Sequence, residues 1–239
     1  MIQELRDILF LDIETVACTA DFEFLDERLK AQWARKANVL RRNTDQTDET
    51  LFQDRAGIYA EFGKVICIAV GKFIDTDSGG LALKTKVYYG HDEREVLCAF
   101  KIMVEKMDPN TLKLCAHNGK EFDFPYLCRR MLVNNVSLPV ALNIAGRKPW
   151  DIPHLDTMEM WKFGDFKNYT SLDLLAAIFN IPTSKTDMDG SNVNNVYHQN
   201  KDLEKIKDYC VRDVVVLAQV FLRLKAINLN RALQVIGAD

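Results

Sequence analysis

The chain has 239 residues, of which 48% are apolar and 27% charged, and its formal net charge is −3 at pH 7. That composition is ordinary for a globular domain and excludes a wholly disordered or fibrous chain. The slight acidic excess also excludes a global basic field, so a polyanionic partner would have to be held by local patches.

The N-terminal stretch MIQELRDILFLDIE carries acids inside its apolar run and no cleavage-site pattern, so no signal peptide is expected. The longest apolar runs, such as 65–70, are too short for a bilayer, so no membrane association and a cytoplasmic location are expected. Residues 7–14 (DILFLDIE) read as a buried strand with acids at its end. Residues 17–62 interrupt the pattern with two helical pieces, 26–37 and 50–62, around the polar stretch 42–49, and read as a helical insertion. Strands follow at 64–74 and 81–89 across a turn-rich DTDSGG. A helix is expected at 91–106, a strand at 111–116, a helix at 121–132 and a short strand within 152–159. A helix over 171–179 has a start like a capping box at Thr170 and Asp173. Residues 182–198 read as a polar loop, 199–227 as a long helix and 228–239 as a tail open to helix. The order implies an α/β fold, a mixed five-stranded sheet flanked by helices, in one domain spanning 1–239. The six cysteines (Cys18, Cys67, Cys98, Cys115, Cys128, Cys210) include no CxxC pair, so free thiols are expected rather than a zinc site or disulfides.

Acids gather in three places. Asp12 and Glu14 are two apart on a strand and so share a face. Two carboxylates at a buried strand end repel each other, and a hard divalent cation would relieve them; taken alone, such a pair is more often just a strand end entering solvent. In CAHNGKEFDFPYL, Asp123 falls in the first turn of a helix, beside Asn118 and the rings Phe122, Phe124 and Tyr126. Those rings could belong to the core or could stack a base. In DYCVRDVVV, Tyr209 and Asp213 are i, i+4 on an apolar helix, so a partly buried Asp213 needs a partner or a metal.

Together FLDIET, HNGKEFDFPYL and YCVRD resemble the three motifs of the DEDD superfamily of 3′-5′ exonucleases, in the branch with a tyrosine four residues before the last aspartate. The likeness runs from Ile8 to about Leu224 and is greatest to the proofreading exonuclease domain of family B DNA polymerases, and a stand-alone form of that domain is expected. It implies a ribonuclease H-like fold and a metal-dependent 3′-5′ exonuclease that releases nucleoside 5′-monophosphates from single-stranded DNA. It further implies two divalent cations, Mg²⁺ or Mn²⁺, held by Asp12, Glu14, Asp123 and Asp213, with Tyr209 orienting water. Asn118, Phe122, Phe124 and Tyr126 would wall the 3′-end pocket. Lys162 and Lys167 in WKFGDFKNY, with Lys185 and Gly190 in the loop ahead of the third motif, would also meet substrate; 147–150 (RKPW) is a weaker patch. His117 reads as structural. Lys30, Arg35, Lys36, Arg41 and Arg42 in the insertion could track a strand backbone, although a solvated helix face gives the same run. The insertion could also bind a protein partner. The alternatives are an exoribonuclease with the same site and a non-catalytic nucleic-acid-binding module; the presence of all four acids with Tyr209 favours an enzyme.

Overall fold

The first apolar run forms β1 (Ile8–Ala17) in the computed structural model, which describes residues 2–41, 45–76, 79–165, 169–184, 188–229 and 232–237. β2 (Gly63–Asp75) and β3 (Leu81–Tyr89) follow as an antiparallel meander, β4 (Lys113–Ala116) and β5 (Leu155–Asp156) add in parallel, and β6 (Gln234–Gly237) closes the far edge. The sheet order is β5-β4-β1-β2-β3-β6, which puts β1 in the interior. The sheet thus has six strands where the pattern predicts five. The sixth comes from the C-terminal tail, for which no strand is expected and which pairs in parallel with β3 from Ala82 to Thr85, satisfying backbone groups that an edge strand would leave open.

The period-2 alternation of β1 builds both sides of the sheet. Leu9, Leu11 and Ile13 pack into one core with α4 (Glu93–Val104) and α5 (Asp123–Val133). Ile8 and Phe10 pack into the other with α9 (Leu203–Leu224), where Phe10 meets Phe73 and Phe221 edge-on at 5.2 and 5.3 Å between ring centroids. Asp12 and Glu14 continue the side of Ile8 and Phe10, so the face that buries apolar groups at one end of β1 presents carboxylates toward α9 at the other. The β1–β2 register shifts between Glu14 and Thr15, a bulge beside the acids.

Residues 17–62 fold, as expected, mainly into helices: α2 (Glu27–Leu40) and α3 (Asp48–Arg55), with 3₁₀ turns at Phe22–Phe24 and Ala56–Ile58. The second piece leaves α-helical geometry after Arg55. The insertion has its own small core, in which Trp33 is fully buried, sits edge-on to Phe52 and Phe62, and donates its indole N–H to the Asp48 carbonyl at 2.8 Å. Three members of its basic run are engaged inside the insertion, while Arg35 is exposed. Lys30 bonds Glu23 and Glu27, Arg41 bonds Asp48, and Lys36 lies over the Tyr59 ring; Arg42 lies outside the described residues.

The remaining helices are α1 (Ile2–Leu5), α6 (Thr157–Lys162), α7 (Leu172–Ile178) and α8 (Val193–His198). α7 is capped by the Ser171 hydroxyl, one residue later than the expected Thr170. The polar stretch 182–198 is not loop throughout: a 3₁₀ turn at Gly190–Asn192 leads into α8, whose Val193, Val196 and Tyr197 bury against the core while Asn195 is exposed and Asn194 is half-buried. A buried ion pair joins α4 to α5. Arg130 donates to both Glu93 carboxylate oxygens at 2.8 and 2.6 Å, and Glu93 also accepts from the Val65 N–H and the Asn134 amide. All six cysteines are free, and among the described residues no helix is long and apolar enough to cross a membrane.

Candidate active site

Three elements bring the four acids together. β1 supplies Asp12 and Glu14. α9 crosses that face and supplies Tyr209 and Asp213 one helical turn apart, with the tyrosine hydroxyl bonded to the Asp213 carboxylate. α5 begins at Asp123, and the Ile13 N–H bonds its carboxyl. That N–H is available because the β1–β4 ladder ends at Phe10. Glu14, Asp123, Tyr209 and Asp213 are each less than a tenth exposed, and Asp12 keeps an edge toward the cleft.

These acids hold one another's protons. Burial, then the charges of Asp213 and Asp123, push the Asp12 carboxyl well above the usual carboxylate range. Burial, then Asp12 and Asp213, do the same to Glu14. Burial, with Asp156 adding repulsion, raises Asp123 to about 7. Burial and the neighbouring Asp213, Glu14 and Asp12 push the Tyr209 hydroxyl far above its ordinary value. Among the described residues, Asp12, Glu14 and Asp123 have no lysine or arginine partner. Buried like charges with no counter-ion cannot all ionise, so the pocket calls for a cation. The residues fit one: ligand atoms of Asp12, Glu14 and Cys210 lie within 4.8 Å of one another, and the carboxylate oxygens suit hard Mg²⁺ or Mn²⁺.

The second motif is set by a residue far from it in sequence. Asp156, at the start of α6, accepts from the N–H groups of Asn118 and Lys120 at 3.0 and 3.1 Å while it also caps α6. Asn118 sits in the left-handed region at φ 64°, and a side chain on Gly119 would run into Ala116 and the Phe124 ring. His117 is a structural bridge, with Nδ1 and Nε2 at 2.9 and 2.8 Å from the Thr157 hydroxyl and the Thr170 carbonyl.

Above the acids lies a cleft of about 980 Å³. Asp12, Glu14, Tyr209 and Asp213 form its floor, and Phe122 and Tyr169 supply rings. Amides of Asn192, Asn194, Asn195 and Gln199 line another wall, next to the expected Gly190. The insertion adds Gln53, Asp54, Arg55 and Ile58.

Of the expected substrate walls, Phe122 reaches the cleft. Phe124 and Tyr126 do not. Phe124 is fully buried and edge-on to His154, and Tyr126 is 1% exposed with its hydroxyl donating to the Gly57 carbonyl at 2.7 Å. The physical reason is helical phase: Phe124, Leu127 and Met131 form the inward stripe of α5, whereas Phe122 precedes the helix. Asn118 does not line the cleft either, and its Oδ1 is buried with no hydrogen-bond partner among the described residues. Lys162 is half-buried at the end of α6, away from the lining, and Trp161 packs on Phe179. Lys167 and Lys185 lie outside the described residues. Asp156, Cys210, Asn194 and Arg55 are the site residues that sequence patterning does not single out. Cys210 is the nearest miss, since it sits inside the third motif and its Sγ lies 3.4 Å from an Asp12 carboxylate oxygen.

Sheet order and the placement of the acids define an α/β domain of the ribonuclease H-like class. The structure is similar to that of the family B DNA polymerase from the hyperthermophilic archaeon Pyrobaculum calidifontis, with a TM-score of 0.54 and 18% identity, covering 90% of this chain and 24% of that one. The chain therefore spans about a quarter of the polymerase's length, and at this identity the likeness speaks for the fold. The chain belongs to the family of predicted 3′-5′ exonucleases related to the exonuclease domain of PolB, whose profile matches residues 58–233. That match contains Asp123, Tyr209 and Asp213; Asp12 and Glu14 precede it and join the cluster through the fold.

Proposed function

We propose that this chain is a metal-dependent 3′-5′ exonuclease that hydrolyses the terminal phosphodiester of single-stranded DNA and releases nucleoside 5′-monophosphates. The observation that carries the reading is the convergence of four mutually repelling, largely buried acids from β1, α5 and α9, of which Asp12, Glu14 and Asp213 line the floor of one open cleft and Asp123 lies buried beside them. Asp12, Glu14 and Asp213 would hold one divalent cation, with Asp12 shared toward a second that Asp123 completes. Two such ions, Mg²⁺ or Mn²⁺, supply when bound the water activation and the charge that steadies both oxygens of an in-line displacement.

The chain's own residues do the rest. The Tyr209 hydroxyl, held by Asp213 and pushed upward in pKa, stays protonated at neutral pH, so it orients water rather than accepting its proton. Phe122 and Tyr169 offer ring faces to the terminal bases, a mode that tolerates any sequence. Until a cation is bound, the acid floor repels phosphate, so turnover depends on metal. The likeness of fold to a DNA polymerase supports DNA as substrate. We read residues 1–239 as one domain in which the 17–62 insertion forms part of the substrate cleft.

The test is a time course on 5′-labelled single-stranded DNA and RNA of one sequence with Mg²⁺ or Mn²⁺, comparing wild type with Asp12→Ala. A ladder shortening from the 3′ end, lost in the variant and on adding EDTA, is expected, with DNA the faster substrate. Faster RNA would reassign the substrate, and no cleavage of either by folded, metal-loaded protein would leave a binding module.

A further inference from the structure

Among the described residues that line the cleft, acids stand at Asp12, Glu14, Asp54 and Asp213, and the single cation is Arg55. It is the last residue of α3, it is exposed, and its side chain has no hydrogen-bond or ion-pair partner among the described residues. Its insertion neighbours Lys30, Lys36 and Arg41 are occupied by Glu23 and Glu27, by the Tyr59 ring and by Asp48. The charge run that draws the eye in the sequence is thus partly neutralised locally, while an arginine outside that run faces the cleft.

The backbone that carries Arg55 is tied to the catalytic sheet. The Asn194 amide donates to the Gln53 carbonyl at 3.0 Å and accepts from the Ala17 N–H at 2.9 Å, so α8 clamps α3 to the end of β1. The Tyr126 hydroxyl holds the Gly57 carbonyl from the other side. Gly57 lies so near β1 that an added Cβ would sit 3.1 Å from the Val16 Cα. Residues 53–58 are therefore a fixed wall, and Ile58, 46% exposed, presents an apolar side chain to the same cleft.

We propose that Arg55 grips the substrate phosphate next to the scissile one, with Ile58 packing against the adjoining nucleotide, so that the insertion makes the enzyme selective for a strand over a single nucleotide ester. The proposal rests on the exonuclease reading. An acid floor gives no attraction to the neighbouring phosphate, and a planar guanidinium on a fixed wall supplies it with two parallel donors.

The test compares kcat/KM on a single-stranded oligodeoxynucleotide with kcat/KM on the p-nitrophenyl ester of thymidine 5′-monophosphate, which has no neighbouring phosphate. In Arg55→Ala the oligomer-to-ester ratio should fall about tenfold, mostly through the oligomer KM, as expected for one lost charged contact. The slope of log KM against log salt should shrink by about 0.7, the value for one phosphate contact to a single strand. Arg55→Lys keeps the charge but not the paired donors, so it should restore the salt slope and only part of the ratio. An unchanged ratio, or equal losses on both substrates, would overturn the assignment. If the wild type turns over neither substrate, the exonuclease reading fails instead. Binding of a fluorescein-labelled oligomer in Ca²⁺ then decides Arg55 separately: about tenfold weaker binding by Arg55→Ala upholds it and equal binding overturns it.

Discussion

Replacing Asp123 by asparagine removes one charge from the acid cluster at nearly constant volume and leaves an acceptor for the Ile13 N–H. In the folded chain burial holds this carboxyl near 7, against an ordinary 3.8. Below 3.8 both folded and unfolded chains carry the proton, and the site costs nothing. As pH rises from there toward 7 the unfolded chain ionises while the fold keeps its proton, so stability is lost progressively and the deficit is complete above 7. At about 1.36 kcal/mol per pKa unit the gap is worth about 4 kcal/mol. Asp123→Asn does not titrate and should be more stable than wild type at pH 8 in EDTA, by about 2–4 kcal/mol, with the advantage fading toward pH 4. Urea unfolding followed by far-UV circular dichroism across that range reads the difference. Adding Mg²⁺ or Mn²⁺ at pH 8 should stabilise the wild type by mass action and the variant much less. A variant less stable than wild type at pH 8, or a difference flat with pH, would refute the account of the cluster.

Asp12→Ala and Glu14→Gln should each lower the oligomer cleavage rate by about 10³-fold or more while keeping the native circular dichroism spectrum, since several kcal/mol of transition-state charge stabilisation depends on the metal ligands. Tyr209→Phe should lose about 10²-fold in kcat yet keep the shape of its pH profile from 6 to 9, because the hydroxyl is not the titrating base; a lost alkaline limb would contradict this. Arg130→Ala strands Glu93 among buried groups and should destabilise the chain by about 3–5 kcal/mol, read as a lower urea midpoint. Trp33→Ala should cost about 3–5 kcal/mol in the insertion core and, by loosening the wall that carries Arg55, lower oligomer cleavage more than ester cleavage.

Both periods of secondary structure are visible in the residues themselves. Asp12 and Glu14 share a face because strand side chains alternate, and Tyr209 and Asp213 share one because a helix turns every 3.6 residues. The strands from 8 to 116, the long α9 and the helical character of the insertion were legible for the same reason. What local spacing does not reveal is position in space. Phe124 and Tyr126 look like a pocket wall in sequence and lie in the core because α5 turns them inward. The asparagine-rich stretch 190–198 hides the inward spacing of Val193, Val196 and Tyr197, and the tail becomes β6 because the β3 edge offers it partners.

The sequence by itself determined which acids could share a face and which elements would carry them, since those facts depend on neighbours a few residues apart. Only the tertiary structure decided that Asp156 shapes the second motif from 38 residues beyond Asn118, that Asn194 clamps Ala17 across 177 residues, and that Arg55, outside the basic run of the insertion, lines the same cleft as the acids. Such meetings follow from how the whole chain buries its apolar surface, a sum over distant residues that no local spacing records.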